Sequence, residues 1–182
     1  WAVTESERSS EFLVHQWRDN RWNTVDRLTR PKPWSEAVFD ISNDGQWVVQ
    51  RRETNVYCWR RGVSDGWTHV GKHGNLVDRL AIVPGKGILV TLSKSTLQAW
   101  QLSSSSLLWQ VEMKTNNPAA RLHATAELLC CAAGPVVSVH RVDTGDVVFY
   151  KNVPSGEFND AVISPDGREV LAASTDRAIH RW

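Results

Sequence analysis

Residues 159–182 read NDAVISPDGREVLAASTDRAIHRW, and the order of residue types in this stretch decides the fold. Residues 161–164 form a short apolar strand. Pro165-Asp166-Gly167 then turns the chain, because proline pre-sets one backbone dihedral and glycine accepts a positive φ. Residues 170–174 make the next strand, Thr175-Asp176 a second turn, and residues 178–182 a third strand ending on Trp182.

The same order recurs upstream. AVFDISNDGQWVVQRRETNVYCW (37–59) turns at Asn43-Asp44-Gly45, LAIVPGKGILVTLSKSTLQAW (80–100) turns between Pro84 and Gly87, and ARLHATAELLCCAAGPVVSVH (120–140) has a shortened turn. Ten tryptophans stand among only four phenylalanines and two tyrosines, and their positions carry a period. Trp17, Trp59 and Trp100 are 42 and 41 residues apart, and Trp182 lies 82 further on, twice 41. Halfway along that gap stands His140, in the tryptophan position.

Two further series keep the same period. Glu11, Glu53, Lys94, Gly134 and Asp176 each lie six residues before one of these positions, and Trp22, Trp67, Trp109 and Phe149 follow them by five to nine residues. The last series supplies a fourth strand per period. No stretch shows helical spacing over three turns. Four short strands to a period near 41 define a propeller blade rather than a sandwich or barrel, so the sequence predicts an all-β chain of four-stranded antiparallel blades. The expected limits are a partial blade at 1–30, blades at 34–71, 75–113 and 118–153, and a partial blade at 157–182.

These residues resemble the WD-repeat family, whose blades run about 40 to 45 residues with Gly-His near the start and Trp-Asp at the end of the third strand. The resemblance covers essentially the whole chain. It is strongest in ISPDGREVLAASTDRAIHRW and in HGNLVDRLAIVPGKGILV followed by LQAW, where His73 falls at the Gly-His histidine. It implies a seven-bladed propeller, and with it a longer protein of which this chain is a part. It also implies a network in which histidine, turn aspartate, a strand serine or threonine and tryptophan are joined by hydrogen bonds. Here Lys94 stands at the aspartate position opposite His73, while Glu11, Glu53 and Asp176 have no histidine at the matching place. The expectation is that no blade carries the complete network. Each lost buried hydrogen bond forgoes roughly 0.5 to 1.5 kcal/mol, which inter-blade apolar packing has to offset.

Composition narrows the function classes. Twenty-one basic and twenty acidic residues give a formal charge of +1, so no overall field draws the chain to nucleic acid or an anionic membrane. Cys58, Cys130 and Cys131 make neither an even disulfide set nor a Cys-x-x-Cys pair, which favours a reducing compartment. With no signal peptide and no apolar run near the roughly 20 residues of a membrane helix, the expected location is cytoplasmic or nuclear, with no membrane partner.

No nucleophile elbow, phosphate loop or His-Glu-x-x-His occurs, so no enzyme activity, metal, cofactor or small-molecule substrate is expected. His69 and His73, spaced i, i+4, lie on strand and loop rather than a helix and make no metal pair. His15 and His180 share a strand position filled elsewhere by Tyr57, Gln98 and Ser138, a polar slot of varied content.

The expected function is therefore a non-catalytic protein-protein interaction scaffold in a multi-protein assembly. In the WD-repeat family the residue before the turn acid lies on the wider-loop face often used for binding. The resemblance places Ser10, Arg52, Ser93, Ala133 and Thr175 there. A second reading is an RNA-associated propeller, such as a ribosome-assembly factor, carried by WRDNRW (17–22) and RRETNVYCWRRGVSDGW (51–67), where arginines lie beside tryptophans. A propeller-type enzyme is the third, and the inner segments FDIS, AIVP, LHAT and AVIS supply hardly any of the charged ligands it requires.

Overall fold

The computed structural model describes residues 1–5, 11–29, 38–113, 121–153 and 156–182. Among these residues there is no helix. Eighteen strands form five antiparallel sheets, each a simple meander of consecutive strands. The first sheet has three strands, β1 (Ala2–Glu5), β2 (Glu11–Arg18) and β3 (Arg21–Thr29). The second has four, β4 (Val38–Ile41), β5 (Trp47–Arg52), β6 (Asn55–Arg60) and β7 (Thr68–Lys72).

The third comprises β8 (Arg79–Val83), β9 (Ile88–Ser93), β10 (Thr96–Gln101) and β11 (Ser106–Glu112). The fourth comprises β12 (Arg121–Ala124), β13 (Leu128–Ala133), β14 (Val136–Arg141) and β15 (Val147–Asn152). The fifth holds β16 (Phe158–Ile163), β17 (Val170–Ser174) and β18 (Ile179–Arg181). These sheets are called blades 1 to 5 below. Strand β16 begins three residues before the apolar run that announces it. Its ladder passes through a bulge between Phe158 and Asp160, and the polar pair Asn159-Asp160 hides that part of the strand.

Tight hairpins set the register. Arg52 pairs with Asn55, Ser93 with Thr96 and Ala133 with Val136, each across a two-residue turn. The first turn residue has positive φ in all three, 52° at Glu53, 51° at Lys94 and 59° at Gly134. In these three blades conformation, rather than charge, is what repeats at the position of Glu53, Lys94 and Gly134. In blade 5 the turn is longer, and the positive φ of 68° falls on Arg177, one residue after Asp176.

The core lies between sheets. Alternation along each inner strand sends successive side chains to opposite faces, and in blades 2 to 4 both faces are covered by a neighbouring blade. Cys130 packs towards blade 5 with Val137, Phe158 and Ile163, whereas Cys131 packs towards blade 3 with Val90, Leu97 and Trp109. Burial pushes the Cys58 thiol up to about 11 and Cys130 up to about 12, and raises Cys131 further, so all three stay protonated as small hydrophobes.

Polar ties cross the same interfaces. Trp67 Nε1 of blade 2 donates to the Thr29 carbonyl of blade 1 over 2.8 Å, and Trp109 Nε1 of blade 3 donates to the Val142 carbonyl of blade 4 over 2.7 Å. On the innermost strands Asp40 Oδ2 accepts the Ile82 N–H at 2.9 Å, and His123 Nδ1 accepts the Ile163 N–H at 3.2 Å. Asp40 and His123 occupy the same register position, since each lies one residue before the partner of the second strand's innermost apolar residue, Val48 and Leu129.

Candidate interaction surface

Each blade exposes two ends. One carries the turns at 53–54, 94–95, 134–135 and 175–177 together with the starts of β8 and β12, and is called the hairpin face. The opposite end carries the β2–β3 turn and the turns at 43–45, 84–87 and 165–167.

Of the residues placed on the hairpin face by the repeat, Ser10 lies outside the described residues. Arg52 is half-buried at the end of β5, and Thr175 is exposed in the last turn, where its Oγ1 accepts the Glu157 N–H at 3.0 Å. Ser93 and Ala133 are 2% and 1% exposed. They end their strands facing inward, because a partner blade covers both sides of β9 and β13, and their side chains are out of a partner's reach. The accessible surface there is made instead by Arg52, by the exposed turn residues Glu53 and Lys94, and by Thr175.

Beneath this face lies the hydrogen-bond network of His73. Thr91 Oγ1 donates its one proton to the Gln98 carbonyl at 3.2 Å. It therefore accepts from the two ring nitrogens that approach it, His73 Nε2 at 2.6 Å and Trp100 Nε1 at 3.0 Å. This fixes the His73 tautomer with its proton on Nε2. Histidine, threonine and tryptophan are thus joined as the family resemblance implies, in the blade where the acid is a lysine. Lys94 gives only its N–H, which bonds Asp78 Oδ2 at 2.7 Å, and the Asp78 charge reaches the imidazole. The acid comes from the segment after His73 instead of from the hairpin. Burial outweighs it and pushes His73 down to about 4.

The tryptophan positions divide. Trp59 and Trp100 are buried, and Trp59 Nε1 donates to the Ser64 carbonyl five residues on, at 3.1 Å. His140 reproduces that bond. Its Nδ1–H donates to the Gly145 carbonyl, again five residues on, at 3.1 Å, and Nε2 accepts the Ser138 hydroxyl at 2.9 Å. Burial holds His140 below the usual histidine range. Trp182 stacks on His180 with rings 8° from parallel, and His180 Nε2 meets the acid of its own hairpin, Asp176 Oδ2, at 3.0 Å. Glu11 opens β2, 3.6 Å from Arg27 across the ladder.

Trp17 departs from the series. It is 53% exposed, as is Trp22 directly across the hairpin, and their rings meet edge to face at 5.3 Å. The turn between them has positive φ at both Asp19 and Asn20, 54° and 58°, the geometry of a type I′ hairpin. Exposed Arg18 and Arg21 flank it. Nearby along this face Arg60 lies over the Trp47 ring at 5.2 Å and Arg61 over the Trp1 ring at 4.8 Å.

Two further histidines bridge neighbouring strands of their own blades. His15 sits between Thr4 and Thr24, at 2.7 and 3.1 Å, and His69 Nε2 meets Asn55 Oδ1 at 3.1 Å. Among the described residues no group of three or more His, Cys, Asp or Glu is arranged to hold a metal ion.

Meander sheets packed face to face, innermost strands side by side and tryptophan-bearing third strands define a β-propeller of WD-like blades. The comparisons with known proteins agree. The chain is 26% identical over 154 residues to the human WD repeat-containing protein 36, covering 80% of this chain and 17% of that protein. Its fold matches a chain in a crystal structure of the mitotic checkpoint complex with a TM-score of 0.67 at 16% identity, over 80% of this chain and 47% of that one. No family model matches. The fold is that of a WD-repeat propeller.

Proposed function

We propose that this chain is a non-catalytic scaffold that docks other proteins of a larger assembly in the cytosol or nucleus. The observation that carries the reading is the hairpin face. It presents Glu53 and Lys94 on two-residue hairpins, with Arg52 at the strand end beside the first and Thr175 in the longer turn of blade 5. A rigid rim of loops contacts partners without the cost of ordering itself. The test is Arg52→Glu in the full-length protein. Loss of co-purifying proteins, with an unchanged circular dichroism spectrum and melting temperature, supports the reading. An unchanged set of partners removes Arg52 from the surface.

A second reading has its own observation. Trp17 and Trp22, exposed beside Arg18 and Arg21, offer stacking faces and phosphate-gripping guanidinium groups, the combination that single-stranded RNA engages. An RNA-associated propeller binds RNA in a filter assay with affinity falling steeply as salt rises, and Trp17→Ala with Trp22→Ala abolishes it. Retention unaffected by that pair of substitutions excludes this hairpin as the RNA site.

A further inference from the structure

Where blade 4 meets blade 3, two side chains are smaller than their counterparts at the seam between blades 3 and 2. In blade 3, Trp100 pairs with Leu89 and Leu107, and Gln98 pairs with Thr91 and Gln110. Both turn towards blade 2, where the Trp100 ring lies so close to Gly71 that a Cβ there has no room. In blade 4, His140 pairs with Leu129 and Val147, and Ser138 with Cys131 and Tyr150, so these two hold the same register positions. They turn towards blade 3. Opposite them Val111, paired with Leu97, takes the place that Gly71, paired with Val56, has in the other seam.

The valine does not close the gap. Among the described residues a cavity of about 310 Å³ remains on the outer side of this seam, away from the central channel, lined by Val111 and Met113 of blade 3 and by Val136, Ser138, His140 and Val147 of blade 4. That is room for one bound ring. Val147 and Tyr150 are half-exposed at its mouth on β15, and the outer strands on either side also expose Leu107, Leu108 and Val148. Glu112 borders the cavity too, but its carboxylate is held by the Ser95 and Thr96 hydroxyls. The polar lining has a definite sense. His140 Nδ1–H is spent on the Gly145 carbonyl, so its Nε2 takes the one proton of Ser138 Oγ. The Ser138 oxygen keeps a lone pair and can accept a hydrogen bond but not give another. In blade 3 the Thr91 hydroxyl, with its own proton likewise spent, accepts Trp100 Nε1.

We infer that this cavity is a docking pocket for the indole side chain of a partner protein, a planar apolar ring with a single N–H donor that supplies from outside the tryptophan blade 4 lacks. The exposed apolar flank around the mouth extends beyond what one ring covers, which fits an indole carried on a polypeptide. A tryptophan seated in a desolvated pocket is the kind of contact that dominates an interface. The inference rests on the scaffold reading for its protein partner. It concerns the circumference and not the hairpin face, so its failure and that of the Arg52 surface are read separately.

Titration of the chain with N-acetyl-tryptophanamide, followed through the methyl resonances of Val111, Met113, Val136 and Val147, tests it. Saturable shifts at these methyls are expected. N-acetyl-phenylalaninamide, which lacks the N–H, is expected to bind about five-fold more weakly, the worth of one neutral hydrogen bond. Ser138→Ala removes the acceptor and erases that preference. Val147→Trp, which sets an indole at the mouth from an exposed position, weakens binding by about ten-fold with the melting temperature unchanged. Tyr150→Ala, at the other exposed lining position, weakens it as well and guards against a fold effect of the first variant. A short peptide with a central tryptophan binds at least as tightly as the amide. Shifts that never saturate, equal affinity for the two amides, a preference that survives Ser138→Ala, or parent affinity in both mouth variants overturns the pocket. A peptide that fails to bind where the amide does overturns the partner. So do shifts of the same methyls that grow with protein concentration alone, which assign the cavity to a second copy.

Discussion

The indole nitrogen of Trp100 donates to Thr91 Oγ1 over 3.0 Å, and the imidazole of His73 donates to the same atom over 2.6 Å. One hydroxyl thus joins the second and third strands of blade 3 to the segment that follows blade 2. Replacing it by an isosteric methyl, Thr91→Val, keeps the packing and strands two buried ring N–H groups. The expected loss is about 2 to 6 kcal/mol, since each of the two orphaned donors costs roughly 1 to 3. Urea unfolding at pH 7.5 measures it, and a loss below the cost of one orphaned donor shows that the ring nitrogens find other partners.

Gly71 is required by the face of Trp100. A Cβ built there comes within 2.2 Å of the indole ring. Gly71→Ala is expected to destabilise by about 1 to 3 kcal/mol through overpacking of a residue 7% exposed. The double variant with Trp100→Phe, which removes the distal ring atoms, recovers part of the loss in a mutant cycle. Simple additivity would show that the clash is relieved elsewhere.

Lys94 holds a turn conformation that costs a side-chain-bearing residue about 1 to 2 kcal/mol, and the matching turn of blade 4 has glycine there. Lys94→Gly is therefore expected to raise stability by about 0.5 to 1 kcal/mol after the added entropy of the unfolded chain is subtracted. Gly134→Ala is expected to do the reverse. Chemical denaturation of both variants decides between conformation and charge as the meaning of this position.

Acidification is expected to weaken the fold through its buried imidazoles. His73 takes its proton near pH 4 in the fold against about 6.5 when unfolded, and His140 is lowered in the same direction by burial. Below pH 6.5 the unfolded chain binds these protons and the folded chain does not. Stability therefore falls as pH drops towards 4, with a slope approaching about 1.4 kcal/mol per pH unit from His73 and a contribution of the same sign from His140, and neither contributes above 6.5. The carboxylates that hydrogen bonds hold low, Asp44, Asp166 and Asp176, act at lower pH still. Urea midpoints between pH 7.5 and 4.5 give the profile. His73→Gln, whose amide nitrogen can still reach Thr91, flattens it, and an unflattened profile assigns the dependence to other groups.

The blades were legible because a buried indole must recur wherever a third strand recurs, and Trp59, Trp100 and Trp182 make that visible. Trp17 shows the limit of the pattern. It keeps the spacing, yet β2 and β3 run on into a hairpin whose tip leaves it in solvent. The turn series Glu53, Lys94 and Gly134 was visible as a spacing, but the positive φ that unites it was not, because glutamate, lysine and glycine share no chemical character. Asp78 escaped notice because it reaches the His73 network from the neighbouring segment, five residues after the histidine, rather than from the hairpin. The bond from His140 to Gly145 was hidden because imidazole and indole share only an N–H at a similar distance from the backbone.

The ties between blades alternate in place. Blades 1 and 2 are joined by Trp67 and blades 3 and 4 by Trp109, both away from the channel. Blades 2 and 3 are joined by Asp40 and blades 4 and 5 by His123, both on the innermost strands. At the innermost position of blade 3 stands Ala81, whose methyl has nothing to offer the next strand. Each of these joints is also closed by an apolar cluster that runs the depth of the interface, so a single polar tie serves to fix the level at which one blade meets the next, while the apolar contact supplies the adhesion.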